Sequence, residues 1–146
     1  IPELGKKVAK LLKLIPQLSM PYTIVGVIDV VLDRLLVARR QLVHLQRQMQ
    51  QITRAIDRAK DLNDAGLSAI IACARANVAQ EAANVGKQLA SLGKLLGVLN
   101  LFLGMVGGPA VPDLSSLSGQ PLEAVLEPID AIIKTLQTVR KAVPLP

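Results

Sequence analysis

The sequence predicts an all-α protein: a long antiparallel helical hairpin, about 23–62 and 67–106, with shorter N- and C-terminal helices packed at its base as a coiled-coil-like four-helix bundle. Three observations lead there. Apolar residues recur at alternating steps of three and four through most of the 146 residues. Proline and glycine-rich breaks fall between those runs. The chain is 51% hydrophobic but only 1% aromatic, so its core must be built from Leu, Val, Ile and Ala. A single helical domain, 1–146, is long enough to bury such a core without disulfides or metal.

The first segment, 1–20, reads as a basic amphipathic helix. Leu4, Val8, Leu11, Ile15 and Leu18 form an apolar stripe, and Lys6, Lys10 and Lys13 line another face. Pro2 suits a first turn. Pro16 is expected to bend or end this helix, and Pro21 to force a break before the next.

The second segment, 23–62, carries the strongest pattern. Ile28, Val31, Leu35, Ala38, Leu42, Leu45, Met49, Ile52, Ile56 and Ala59 keep a heptad spacing without a slip. A helix of this length spans roughly 60 Å. Asn63-Asp64-Ala65-Gly66 reads as a turn, with Gly66 the expected left-handed residue and Asn63 or Asp64 bonding nearby backbone.

The third segment, 67–106, has two patterns side by side. One is aliphatic, from Leu67 through Leu89 and Leu96 to Val106. The other consists of small residues: Ala72, Ala76, Ala79, Ala83, Gly86, Ala90, Gly93 and Gly97. Small side chains admit a close neighbour. Each glycine inside a helix costs roughly 1 kcal/mol against alanine, which close packing can offset. The expected neighbour is the second segment. Residues 107–120, rich in Gly, Pro and Ser, form a loop. The fourth helix, 121–143, repeats the spacing at Leu122, Val125, Ile129, Ile132, Leu136, Val139 and Val143. Pro121 and Glu123 suit its start, Arg140 and Lys141 its end, and Pro128 is expected to kink it.

The formal charge is +6, leaning toward the N-terminus. That balance favours anionic partners, although a solvated basic surface is the commoner meaning. Arg40, Arg47 and Arg54 form one line along the second helix. With Lys6, Lys10 and Lys13 they are the candidate contacts for an anionic partner, and otherwise the wet back of a coiled coil. The near absence of aromatic residues argues against single-stranded nucleic acid, which needs faces for base stacking. A chain that opens on Ile1 rather than Met reads as a processed form or a fragment, with no targeting arrangement visible at its start. The uncharged stretch 95–112 reads first as a buried helix end and second as a membrane segment.

Catalysis is not expected. His44 is the lone histidine, so paired-histidine metal sites cannot form within one chain. Cys73, the lone cysteine, reads as small core packing and lies far from His44, whose neighbour across the hairpin falls near residue 84. Asp29 and Asp33 share a helix face. Their bland reading is neutralisation by Arg34 or by a lysine of another helix, and their sharper one is paired-acid chemistry. Asp57, Asp61 and Asp64 read as surface acids among Arg54, Arg58 and Lys60. No cofactor, metal or catalytic residue is assigned.

The sequence thus points to a non-enzymatic structural subunit that packs through long helices with copies of itself or within a larger particle, for example a viral or tail-like assembly. Its packing residues are the small-residue stripe together with Leu35, Leu42, Leu45, Met49, Ile52 and Ile56. The alternative is a membrane-active hairpin that inserts an apolar base, 24–37 and 92–106. Asp29, Asp33 and Arg34 weigh against that, because charges at a bilayer centre cost several kcal/mol. Nucleic acid ranks last among the partners.

Overall fold

In the computed structural model, residues 2–105, 110–114, 117 and 120–143 are described, with side chains from Tyr22 onward. They form three α-helices and no strand: α1 (Pro2–Leu62), α2 (Ala65–Met105) and α3 (Leu122–Ala142). The first departure from expectation is α1. Pro16 and Pro21 do not divide it; one helix of 61 residues runs through both. Proline forfeits one backbone bond and crowds the carbonyl four residues back, at about 3 kcal/mol. A long helix can absorb that cost when the turns on either side are intact. Pro128 is carried inside α3 in the same way. The packing expected for segment 1–20, including Lys6, Lys10 and Lys13, lies outside the described side chains.

The turn after α1 is also built differently. Asn63, not Gly66, takes the left-handed conformation, with φ of 51°. Asparagine tolerates that region because its short polar side chain can bond locally. The Asn63 amide still donates to the Ala59 carbonyl at 2.9 Å, which closes α1. Asp64 then caps α2. Its Oδ1 accepts from the amides of Gly66, at 2.9 Å, and Leu67, at 3.1 Å. These are donors that the start of a helix leaves unpaired. Gly66 is already helical.

The heptad positions of α1 supply the core. Ile28, Val31, Leu35, Ala38, Leu42, Leu45, Ile52 and Ala59 are buried, and Met49 and Ile56 pack against them half-buried. The aliphatic stripe of α2, from Ile71 to Leu103, joins the same cluster. So do Val125, Ile129, Ile132, Ile133, Leu136 and Val139 of α3. No polar or charged residue is buried among the described residues. α1 packs along both other helices. Its Leu42 lines a cleft with Leu89, and its Ile56 lines one with Ile71.

α3 starts after Pro121, whose carbonyl accepts from the Ala124 amide at 2.9 Å. Glu123 in the first turn and Arg140 and Lys141 in the last complement the helix dipole as expected. Residues 144–146 lie outside the described residues.

Leu35 is fully buried, whereas Leu62, the last residue of α1, is 69% exposed. Leu35→Ala is expected to lower unfolding free energy by about 2–5 kcal/mol. Leu62→Ala should change it by less than about 0.5 kcal/mol. Urea denaturation followed by circular dichroism checks both.

Candidate interaction surfaces

α2 has one face in the core and another in solvent. Its outward face runs through Ala72, Cys73, Ala76, Ala79 and Ala83, then Ala90, Gly97, Val98, Leu101 and Met105, all exposed. The only charged side chains of the whole helix are Arg75, Glu81, Lys87 and Lys94. Solvent therefore meets a line of small and aliphatic groups, with Gln80, Lys87 and Lys94 exposed beside them. Cys73 belongs to this face and is exposed, not packed in the core as the sequence suggested.

The aliphatic stripe of α2 enters the core with α1, and the small-residue stripe flanks it: Ala72 lines a cleft with Ile56, and Ala83, Gly86 and Ala90 line one with Leu42. Burying Leu and Val removes more apolar area from water than burying Ala and Gly. What runs beside the C-terminal half of the stripe is the connecting segment. Asn100 donates from Nδ2 to the Val111 carbonyl at 2.9 Å, and the Val111 amide donates to Asn100 Oδ1 at 2.7 Å. Asp113 lies beside Gly93. Leu117 and Gln120 line a cleft with Gly86 and Ala90. Val111, Leu114 and Leu117 face inward at steps of three and are buried.

Close approach within the chain does not require the glycines. A Cβ on Gly86 or Gly97 would meet nothing within 4 Å, and one on Gly93 would make an ordinary contact at 3.9 Å with Asp113.

The second surface feature joins α1 to α3. Arg39 donates from Nε and Nη2 to the two carboxylate oxygens of Asp130, at 2.5 and 3.2 Å. Arg140 holds Asp29 in the same two-pronged way, with Nη2 at 3.2 Å from Oδ2. Asp29 is thus neutralised by an arginine of α3, not by Arg34 or a lysine. Asp33 lies exposed beside it on α1 and does not share that contact. Each aspartate, through its hydrogen bonds first and its charge second, raises its arginine above the usual range. The sign follows from linkage. A raised arginine contributes fully below its ordinary value and is lost only as pH climbs through the raised one. Both arginines therefore stay charged across the neutral range. All four side chains are about half exposed, so solvent screens the pairs, and they align the helices more than they stabilise them.

Arg40, Arg47 and Arg54 are exposed. His44 lies among Gln41, Glu81, Asn84 and Gln88 on the outside of α1 and α2, with its Nε2 at 3.0 Å from Gln48 Nε2. Residue 84 is where the spacing placed its neighbour. Among the described residues no three His, Cys, Asp or Glu side chains come together as a metal site. At the tip, a shallow cleft is lined by Ile56, Lys60, Asp64, Ile71 and Arg75. The two-pronged pairs were missed from sequence because spacing along one helix says nothing about which charge of another helix it meets.

Compared with protein-family models, curated proteins and solved structures, the chain matches none.

Replacing Asn100 by Ala removes both bonds to the Val111 backbone. The expected cost is about 1–3 kcal/mol. Hydrogen exchange at the Val111 amide should accelerate, while that of α1 amides facing Leu89 should not.

Proposed function

We propose that this protein is a non-enzymatic assembly subunit whose long helices form an antiparallel hairpin, and whose α2 outward face packs against copies of itself or within a larger particle. One observation carries the reading. A 41-residue helix shows solvent a long face of Ala, Gly and aliphatic residues, with only four charged side chains in the helix and with glycines that nothing among the described residues requires. Large apolar patches on a soluble surface mark interaction sites. Each mid-helix glycine costs roughly 1 kcal/mol. A closely approaching helix from another copy offsets that cost, as small-residue helix pairs do. The exposed arginines Arg40, Arg47 and Arg54 on α1 leave the opposite side of the hairpin wet and fix which face associates.

A membrane-inserting hairpin is the second reading, and one observation favours it. α2 is long and apolar enough to cross a bilayer, and only 28% of its apolar window is buried. Its base exposes Val98, Leu101 and Met105, with Tyr22, Val30 and Leu36 exposed on α1. The charges of Asp29 and Arg140, half exposed at that end, work against insertion.

The two readings separate by light scattering without detergent, with and without anionic liposomes. The assembly reading expects a discrete multimer that ignores liposomes. Quantitative transfer to liposomes would overturn it in favour of insertion. Gly97→Ala sharpens the test. The site is exposed and has room for the methyl, so the isolated chain should gain about 1 kcal/mol. The multimer should weaken, because the extra methyl holds the partner helix away. A rise in thermal midpoint with unchanged association would contradict the packing role of this stripe.

A further inference from the structure

The two arginine–aspartate pairs have a regularity beyond docking one helix on another. The stretch Ile-Asp, five residues, Leu, three residues, Arg occurs twice, as Ile28-Asp29, Leu35 and Arg39 in α1, and as Ile129-Asp130, Leu136 and Arg140 in α3. Burial follows the same offset. Ile24, Val31, Leu32 and Ala38 are buried in α1, and so are Val125, Ile132, Ile133 and Val139 in α3. The pairing between the two stretches is reciprocal. The aspartate of each meets the arginine of the other. That is the arrangement of an isologous contact, in which one surface meets a copy of itself across a two-fold axis.

A surface that pairs with its own repeat in α3 is complementary to itself. We propose that the α1 face bearing Asp29, Leu32 and Arg39 is a homodimerisation surface, and that α3 covers it in place of the α1 of a second copy. In the open form Asp29 of each copy takes Arg39 of the other, and the apolar residues between them meet across the axis. In the closed form α3 supplies the same groups from within the chain. Tethering gives α3 an effective concentration of about millimolar. The closed form therefore prevails until α3 is weakened or engaged elsewhere. Half-exposed ion pairs set register and partner choice more than affinity, so reversing charges on α3 alone should redirect the pairing. This surface is separate from the outward face of α2 and stands whether or not that face associates.

The test uses the full chain with Cys73→Ser and a spin label at Leu36→Cys, an exposed position near the middle of the repeat. Asp130→Arg with Arg140→Asp turns α3 away from α1, whether that α3 belongs to the same chain or to another. Helices in contact pack 8–10 Å apart, so a dimer through α1 brings the two labels within roughly 20 Å. Pulsed electron spin resonance should show that distance between copies in the reversed variant. It should vanish again when Asp29→Arg and Arg39→Asp are added, because all four charges then match and α3 closes. The label distance does not respond to association through α2, so failure here is distinct from failure of the assembly reading. No short distance in the reversed variant overturns the proposal. If that variant loses its helical signal, the same label is read in Asp130→Asn with Arg140→Gln, where α3 loses its pairing without repulsion. A short distance there supports the proposal, and its absence overturns it.

Discussion

Everything in this fold depends on the apolar surface of α1 being wide enough for two neighbours. The heptad line through Leu35, Leu42 and Leu45 is buried where α2 packs along α1. On the α3 side, the Asp29–Arg140 and Arg39–Asp130 pairs mark where that helix meets α1, with buried Leu32 between them along the chain. A narrow coiled-coil seam serves one partner. The buried positions of α1 are densest from Ile24 to Leu45 and sparser beyond, and α3, with 21 residues, is much shorter than α1, with 61. With hardly any aromatic residues, stability must come from many small aliphatic contacts, each adding a little dispersion and area removed from water.

The same economy explains the surface. α2 uses its larger aliphatic residues inward and leaves Ala, Gly and a few exposed Leu, Val and Met outward. Its C-terminal half is accompanied by the connecting segment, held to Asn100 through both polar groups of the Val111 backbone. That contact resembles a strand pairing in its chemistry, since a side-chain amide offers one donor and one acceptor, as a peptide does. It holds the Val111 backbone against α2.

Much of this was legible in the sequence, for a physical reason. Spacing of three and four reports directly on which residues share a helical face, so the heptad line of α1 and the stripes of α2 and α3 were readable without coordinates. Spacing does not report how a break is resolved. Pro16 and Pro21 looked like boundaries, yet helix on both sides carries the chain through them. At the turn, Gly66 had the freer backbone, but Asp64 caps best one position before α2, and that leaves Asn63 to take the left-handed turn. The small-residue stripe was legible in the sequence, but its exposure was not: Ala72, Ala76, Ala79 and Ala83 are exposed, and Cys73 with them rather than in the core. The repeat linking Ile28-Asp29 to Ile129-Asp130 was present in the sequence. Only the reciprocal ion pairs give it meaning.

The central claim is that the outward face of α2 is an interface, and the native cysteine reports on it. Cys73 adjoins Ala72 and Ala76 on that face and is exposed in the single chain. The most direct measurement is the rate at which a small neutral thiol reagent modifies Cys73 as protein concentration is raised, with solution mass followed in parallel. The account predicts that the rate falls as mass grows, because the partner helix covers the thiol. A mass that grows while the rate stays constant would place the interface elsewhere. A mass that stays monomeric at every concentration would contradict self-association altogether.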